Sequence, residues 1–148
     1  MDGLIPLMRK SGRVLLLLLL VYAAVTAVAF FLQDRLMFYP QPVSSSSPGA
    51  GKEPPLDGHV LEEVTLPVDD GTILHGWYLR SLSGRRGPLL VYFGGNAEEV
   101  SWQIPAFSRL KDHHVLLVNY RGYGRSQGRP GEDALLADGL ALYDWALT

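Results

Sequence analysis

The segment Gly124-Arg125-Ser126-Gln127-Gly128 spells G-x-S-x-G. In a nucleophile elbow this spelling puts a serine hydroxyl at the tip of a sharp strand-to-helix turn, ready to attack an acyl carbon. The chemistry depends on the turn as well as the letters. A strand must end just before the serine. A helix must start at once behind it, to supply backbone N–H groups and its positive dipole end. Ser126 meets neither condition. The preceding apolar run "HVLLVNY" ends at Tyr120, with Gly122 and Gly124 between. Gly128, Pro130 and Gly131 follow, and a helix does not run through them. Ser126 is therefore expected mid-loop, bonding its own backbone.

A second segment, "VYFGGNAEE", has a different logic. Gly94 and Gly95 directly follow an apolar run and let the backbone approach a ligand closely. A helix start behind them would aim free N–H groups at the same point. This arrangement suits an oxyanion hole, and equally an ordinary strand-to-helix turn. The glycines at 122, 124 and 128 do not match G-x-G-x-x-G, and no G-K-[ST] ending appears, so nucleotide phosphate binding is disfavoured. Arg121, Arg125 and Arg129 are either solvated or anion contacts. His75, in "LHGWY", reads as structural. His59, His113 and His114 have no metal-ligand spacing, and the chain has no cysteine, so neither a metal nor a cofactor is expected.

Certain elements must position these loops. "HVLEEVTLPV", Asp70-Gly71 and "TILHGWYLR" read as a β-hairpin. Alternation in its second strand sets Ile73, His75, Trp77 and Leu79 on one face and Leu74, Gly76 and Tyr78 on the other. "PLLVYF" and "HVLLVNY" read as strands covered on both faces. Val100, Ile104, Phe107 and Leu110 recur at helical spacing, with Pro105 forcing a kink or restart. Glu98 and Glu99 fall in that helix's first turn. From Glu132 a second helix shows Leu136, Leu140, Tyr143 and Leu147 at spacings of four, three and four. Strand, strand, strand, helix, strand, helix is the order of an antiparallel hairpin followed by a parallel α/β unit.

Ahead of this domain, residues 14–32 read "VLLLLLLVYAAVTAVAFFL" with no charge. At about 1.5 Å per residue they match the roughly 30 Å core of a bilayer. Arg9, Lys10 and Arg13 precede them, so a single-pass signal anchor with residues 1–13 in the cytoplasm is expected. A cleaved signal peptide is the alternative, with Ala27-Val28-Ala29 as its cleavage site. The domain would then lie on the non-cytoplasmic side, the periplasm in a bacterium. Residues 33–58 read as an interfacial segment carrying Phe38 and Tyr39, then a linker rich in Ser, Pro and Gly. The net charge of −2 and the scattered basic residues argue against nucleic acid.

Together, "LLVYFGGNAEEV" and "LLVNYRGYGRSQGRPGEDALLADGLALYDW" resemble the first half of an α/β-hydrolase domain. The branch is the membrane-anchored serine hydrolases with a serine aminopeptidase-type or lysophospholipase-like domain. The likeness covers about residues 59–148, and "QDRLMFYPQP" is similar to the segment these proteins carry after their anchor. It implies an α/β fold: the N-terminal half of a hydrolase sheet behind one transmembrane helix. It implies an oxyanion donor at the Asn96 backbone, with Ala97 second. Gly94 stands where the family has histidine, followed by Gly95. Arg121, Gly122 and Gly124 fall in a structural loop bordering the site. The nucleophile, the acid and the histidine base would come later, from a fifth strand onward, and none is in these residues. The third strand would then carry an unpaired apolar edge. The chain reads as a fragment or a truncated product, with ester, thioester or amide hydrolysis of a small-molecule or lipid acyl substrate as the full-length activity. The rival is a non-catalytic membrane protein that pairs its open edge with another chain.

Overall fold

A computed structural model describes residues 4–43, 56, 58–84 and 87–147, with side chains from Gly12 onward. Most of the expected linker, residues 44–55, lies outside the described residues. The chain divides into a first unit, Met1–Met37, and a second, Phe38–Thr148. The first is one helix, α1 (Leu4–Met37). Its span Gly12–Met37 has a mean hydropathy of 2.8 and is long and apolar enough to cross a membrane. The helix outruns the expected boundary at Leu32 by five residues, because Gln33, Asp34 and Arg35 carry no helix breaker.

The second unit is a four-stranded sheet with helical crossovers. Strand β1 (His59–Pro67) pairs antiparallel with β2 (Ile73–Ser81). Asp70-Gly71 turns the chain between them, with Gly71 at φ 81°. Strand β3 (Leu89–Phe93) lies parallel to β4 (His114–Val118), and the sheet order is β1-β2-β4-β3. β4 is therefore central and buried along its whole length, as its unbroken apolar run requires. β3 is at the edge and only half-buried at every position. Leu89, Val91 and Phe93 pack against one core and Leu90 and Tyr92 against the other, so both faces are covered as expected, and the half-burial comes from the open edge.

One core packs Leu66, Leu74, Leu116, Val118 and Leu142 on one side of the sheet. The other packs Trp77, Leu79, Val100, Ile104 and Leu117. The expected helix after residue 98 is shorter than its periodicity suggests. A 3-10 turn (Val100–Gln103) leads into one turn of helix, α2 (Ile104–Phe107), with Pro105 in its first positions. Proline lacks an N–H, so a helix can begin there but not pass through unbroken. Glu98 and Glu99 precede that turn. Glu99 is fully buried and caps it, its side chain accepting the Ser101 N–H.

The last helix, α3 (Glu132–Leu147), starts at the expected residue. Leu136, Leu140, Tyr143 and Leu147 are its exposed face. The buried side chains are Asp138 and Leu142. An open apolar groove of about 420 Å³ runs between this helix and β3, lined by Leu89, Val91, Phe93, Leu142 and Tyr143 among others.

Candidate functional site

The parallel register sets Phe93 beside Val118, so β3 and β4 end together. The two candidate loops leave the sheet side by side at its carboxyl edge. In an α/β sheet this is where ligands bind.

The loop after β3 is a tight turn. Glu98 N–H donates to the Gly95 carbonyl at 3.3 Å. Ala97 sits at φ 61°, the one non-glycine residue with positive φ among the described residues. That conformation costs an L-residue about 1–2 kcal/mol, and it persists only where the surroundings impose it. Two anchors do so. The Gly95 N–H donates to Glu98 Oε2 at 2.7 Å, and Glu98 also accepts from the Tyr92 hydroxyl at 3.1 Å. The Asn96 side-chain carbonyl accepts from the Tyr123 hydroxyl at 3.0 Å and from the Tyr39 N–H at 2.8 Å. The Gly95 amide is thus committed to Glu98, and the turn's next amides are those of Asn96 and Ala97. Both residues are exposed, while Gly94 is buried against Val100. Glu98 and Tyr123 hold the loop at a sequence position where the related pattern has a histidine.

The Tyr39 backbone belongs to the second unit and docks on the sheet domain. The Gly124 N–H donates to the Gln41 carbonyl at 2.8 Å, and Pro42 forms a bridge with Gly124. Residues 39–42 therefore lie across the Arg121–Gly124 loop. Gly122 and Gly124 are at φ 77° and 55°, and a Cβ on Gly124 would meet Asn119 Nδ2 at 2.4 Å.

Asn119 governs a buried polar chain beneath the loops. Its Oδ1 accepts the Val100 N–H at 3.1 Å, which fixes the amide's orientation. Its Nδ2 then donates to Glu99 at 3.0 Å and faces His75 Nδ1 at 3.3 Å. His75 Nδ1 is thereby the acceptor, so Nε2 carries the hydrogen and donates to Glu63 at 2.7 Å. Burial opposes the charge on Glu63, but His75 and Arg125 outweigh it and lower its pKa. Arg125 is thus paired with Glu63 at the surface. His75 is structural, as its place inside a strand predicts.

Arg121 is neither solvated nor an anion contact. Its guanidinium bonds Asp138, Asp70 and Thr72. The hydrogen bonds it donates to Asp138 and Asp70 raise its pKa above the usual arginine range. Ser126 is buried mid-loop. Its hydroxyl donates to the Asn119 carbonyl at 2.9 Å and accepts the His75 N–H at 2.9 Å. It pins the loop to the β2 backbone and to the residue that directly follows β4. No group of three His, Asp or Glu placed to hold a metal occurs among the described residues. The residues missed from sequence are Tyr39, Glu98 and Tyr123. The helix-dipole argument flagged Glu98 only as a first-turn acid, and nothing in the spacing pointed to Tyr39.

No family model matches the chain. It is similar to an uncharacterized protein of Mycobacterium tuberculosis, Rv2307c, at 33% identity over 145 residues, 92% of this chain and 48% of that protein. It is similar to the alpha/beta hydrolase domain-containing protein WAV2 of Arabidopsis thaliana, at 29% identity over 84% of this chain and 41% of that one. The human protein ABHD12B matches at 38% identity over 73 residues, 47% of this chain and 20% of that one. The chain thus spans about half the length or less of these relatives. In three dimensions it resembles the Pyrococcus furiosus esterase Pf2001, with a TM-score of 0.51 and 22% identity, over 74% of this chain and 40% of that one.

Proposed function

This chain belongs to the α/β-hydrolase superfamily, and from that membership we propose that it forms the N-terminal portion of a membrane-anchored serine hydrolase. The reaction is hydrolysis of an ester, thioester or amide through an acyl-serine intermediate. The substrate is a small molecule or a lipid bearing an acyl group. The observation that carries this reading is the strained turn at Ala97, held at the carboxyl edge of a parallel strand pair. Its role is to present the Asn96 amide, with Ala97 second, to the developing oxyanion. Ser126 is committed to the His75 and Asn119 backbones, so the nucleophile is a different serine, on a fifth strand beside β3. The acid and the histidine base follow it in the superfamily's order. α1 is the anchor. Arg9, Lys10 and Arg13, ahead of its apolar stretch at residues 14–32, keep the N-terminus cytoplasmic and set the hydrolase domain on the other side.

A fluorophosphonate probe tests the chemistry. It should label the full-length protein and leave residues 1–148 unlabelled. Labelling of residues 1–148 that Ser126→Ala abolishes would overturn this assignment of the nucleophile. Carbonate washing of membranes tests the anchor, since a spanning helix stays in the pellet.

The open edge of β3 and the groove beside α3 favour a second reading. There the chain is non-catalytic and pairs that edge with another chain. It predicts that residues 1–148 form a stable hetero- or homo-oligomer with no probe labelling in any longer product.

A further inference from the structure

Three segments far apart in sequence meet at one side-chain oxygen. Asn96 Oδ1 has two lone pairs, and two donors fill them: the Tyr39 N–H and the Tyr123 hydroxyl. The same Tyr39 N–H also reaches the Tyr123 oxygen, at 2.9 Å. The Tyr123 ring is 1% exposed, packed edge-on against Tyr120. Only its hydroxyl reaches the turn. The Tyr39 ring is 68% exposed, so that residue contributes its backbone alone. Two further contacts, Gly124 N–H to Gln41 and the Pro42 bridge, keep residues 39–42 seated.

We propose that Tyr123 and the strap of residues 39–42 are positioning elements for the oxyanion loop: by fixing the Asn96 side chain they aim the amides of the Asn96–Ala97 turn. The proposal rests on the hydrolase reading above. Glu98 secures the turn's first amide, at Gly95. Without a second anchor the turn can relax about Ala97, whose backbone leaves its strained conformation when nothing imposes it. A donor displaced by a fraction of an ångström stabilises an oxyanion less well, while substrate binding elsewhere in the site is untouched. The segment that follows the helix is thus part of the catalytic scaffold.

The test uses the full-length protein with a chromogenic ester, and turnover is counted per site titrated by a fluorophosphonate. Tyr123→Phe removes the hydroxyl. Tyr39→Pro removes the N–H, and position 39 already precedes a proline, which holds it extended. Tyr39→Ala keeps the N–H. Tyr123→Phe should lower kcat about tenfold with KM within about twofold. Tyr39→Pro should be at least about fivefold slower than Tyr39→Ala. The double variant Tyr39→Pro/Tyr123→Phe should be no slower than the worse single one, because both break the same anchor. A purely structural role would lower Tm and the titratable fraction and leave kcat per titrated site at the wild-type value. That result in both Tyr123→Phe and Tyr39→Pro would overturn the proposal. Failure of the hydrolase reading looks different: the wild-type protein itself would neither label nor turn over, and the positioning role would fall with it.

Discussion

Arg121 grips Asp138 through two parallel hydrogen bonds, Nε to Oδ2 at 2.8 Å and Nη2 to Oδ1 at 2.6 Å. Both side chains are nearly buried, at 12% and 6% exposure. The pair ties the loop after β4 to α3. Through Asp70 and Thr72 the same guanidinium holds the hairpin turn. Arg121→Ala leaves the Asp138 carboxylate buried without its partner, and the expected loss is about 3–5 kcal/mol in denaturant unfolding. Arg121→Lys should recover only part of this, since an ammonium cannot form the parallel pair. Equal stability of the Lys and wild-type proteins would show that the paired geometry is unimportant.

The same cluster sets a pH dependence. The hydrogen bond from Arg121, then those from Thr72, lower the Asp70 pKa from 3.8 to about 2. A carboxylate depressed in the folded state adds stability above its unfolded value and loses it as pH falls through the folded one. The contribution of Asp70 is therefore complete above about pH 4 and disappears toward pH 2. In thermal melts between pH 5 and pH 2, Asp70→Asn should fall less steeply than wild type. Parallel slopes for the two would refute the coupling.

Gly124 has no room for a side chain. At φ 55° an added Cβ would strike Asn119, whose amide holds Val100, Glu99 and His75 in place. Gly124→Ala should destabilise by about 2 kcal/mol or more, from backbone strain and from displacement of a buried polar group. Loss of hydrogen-exchange protection at the Val100 amide would locate the damage. Retained protection would mean that the loop, and not Asn119, had moved.

Ser126→Ala separates stability from chemistry. It deprives the His75 N–H and the Asn119 carbonyl of a buried partner, at a cost of about 1–3 kcal/mol. Fluorophosphonate labelling of the folded full-length variant should stay at the wild-type level. Abolished labelling in a folded variant would make Ser126 the nucleophile after all.

The hairpin, the order of elements along the chain and the G-N-A turn were legible because each has a local signature. The Asp70-Gly71 turn and the period-two alternation set β1 against β2. Continuous apolar runs marked β3 and β4. Long-range polar partners left no such signature. The spacing of Leu136, Leu140, Tyr143 and Leu147 marked a helix but not which face turns inward, where Asp138 is held by an arginine 17 residues earlier. Val100, Ile104 and Phe107 still turn inward although Pro105 breaks the helix, since a 3-10 turn and a short α-turn bury similar positions, whereas Leu110 lies past them and is exposed. The strap at residues 39–42 was invisible for a different reason. It docks by backbone N–H and C=O groups, which almost every residue has, so composition carries no trace of it.

The strand order β1-β2-β4-β3 also constrains the timetable of synthesis. β4 lies between the hairpin and β3, yet it is made last of the four. Until Val118 has emerged, Leu89–Phe93 has no neighbour to join. Roughly 25 residues separate the ends of those two strands, about one to five seconds of translation at 5–20 residues per second. For that interval the nascent chain carries a finished hairpin and an apolar strand waiting for its place, and a holding chaperone has its natural target there.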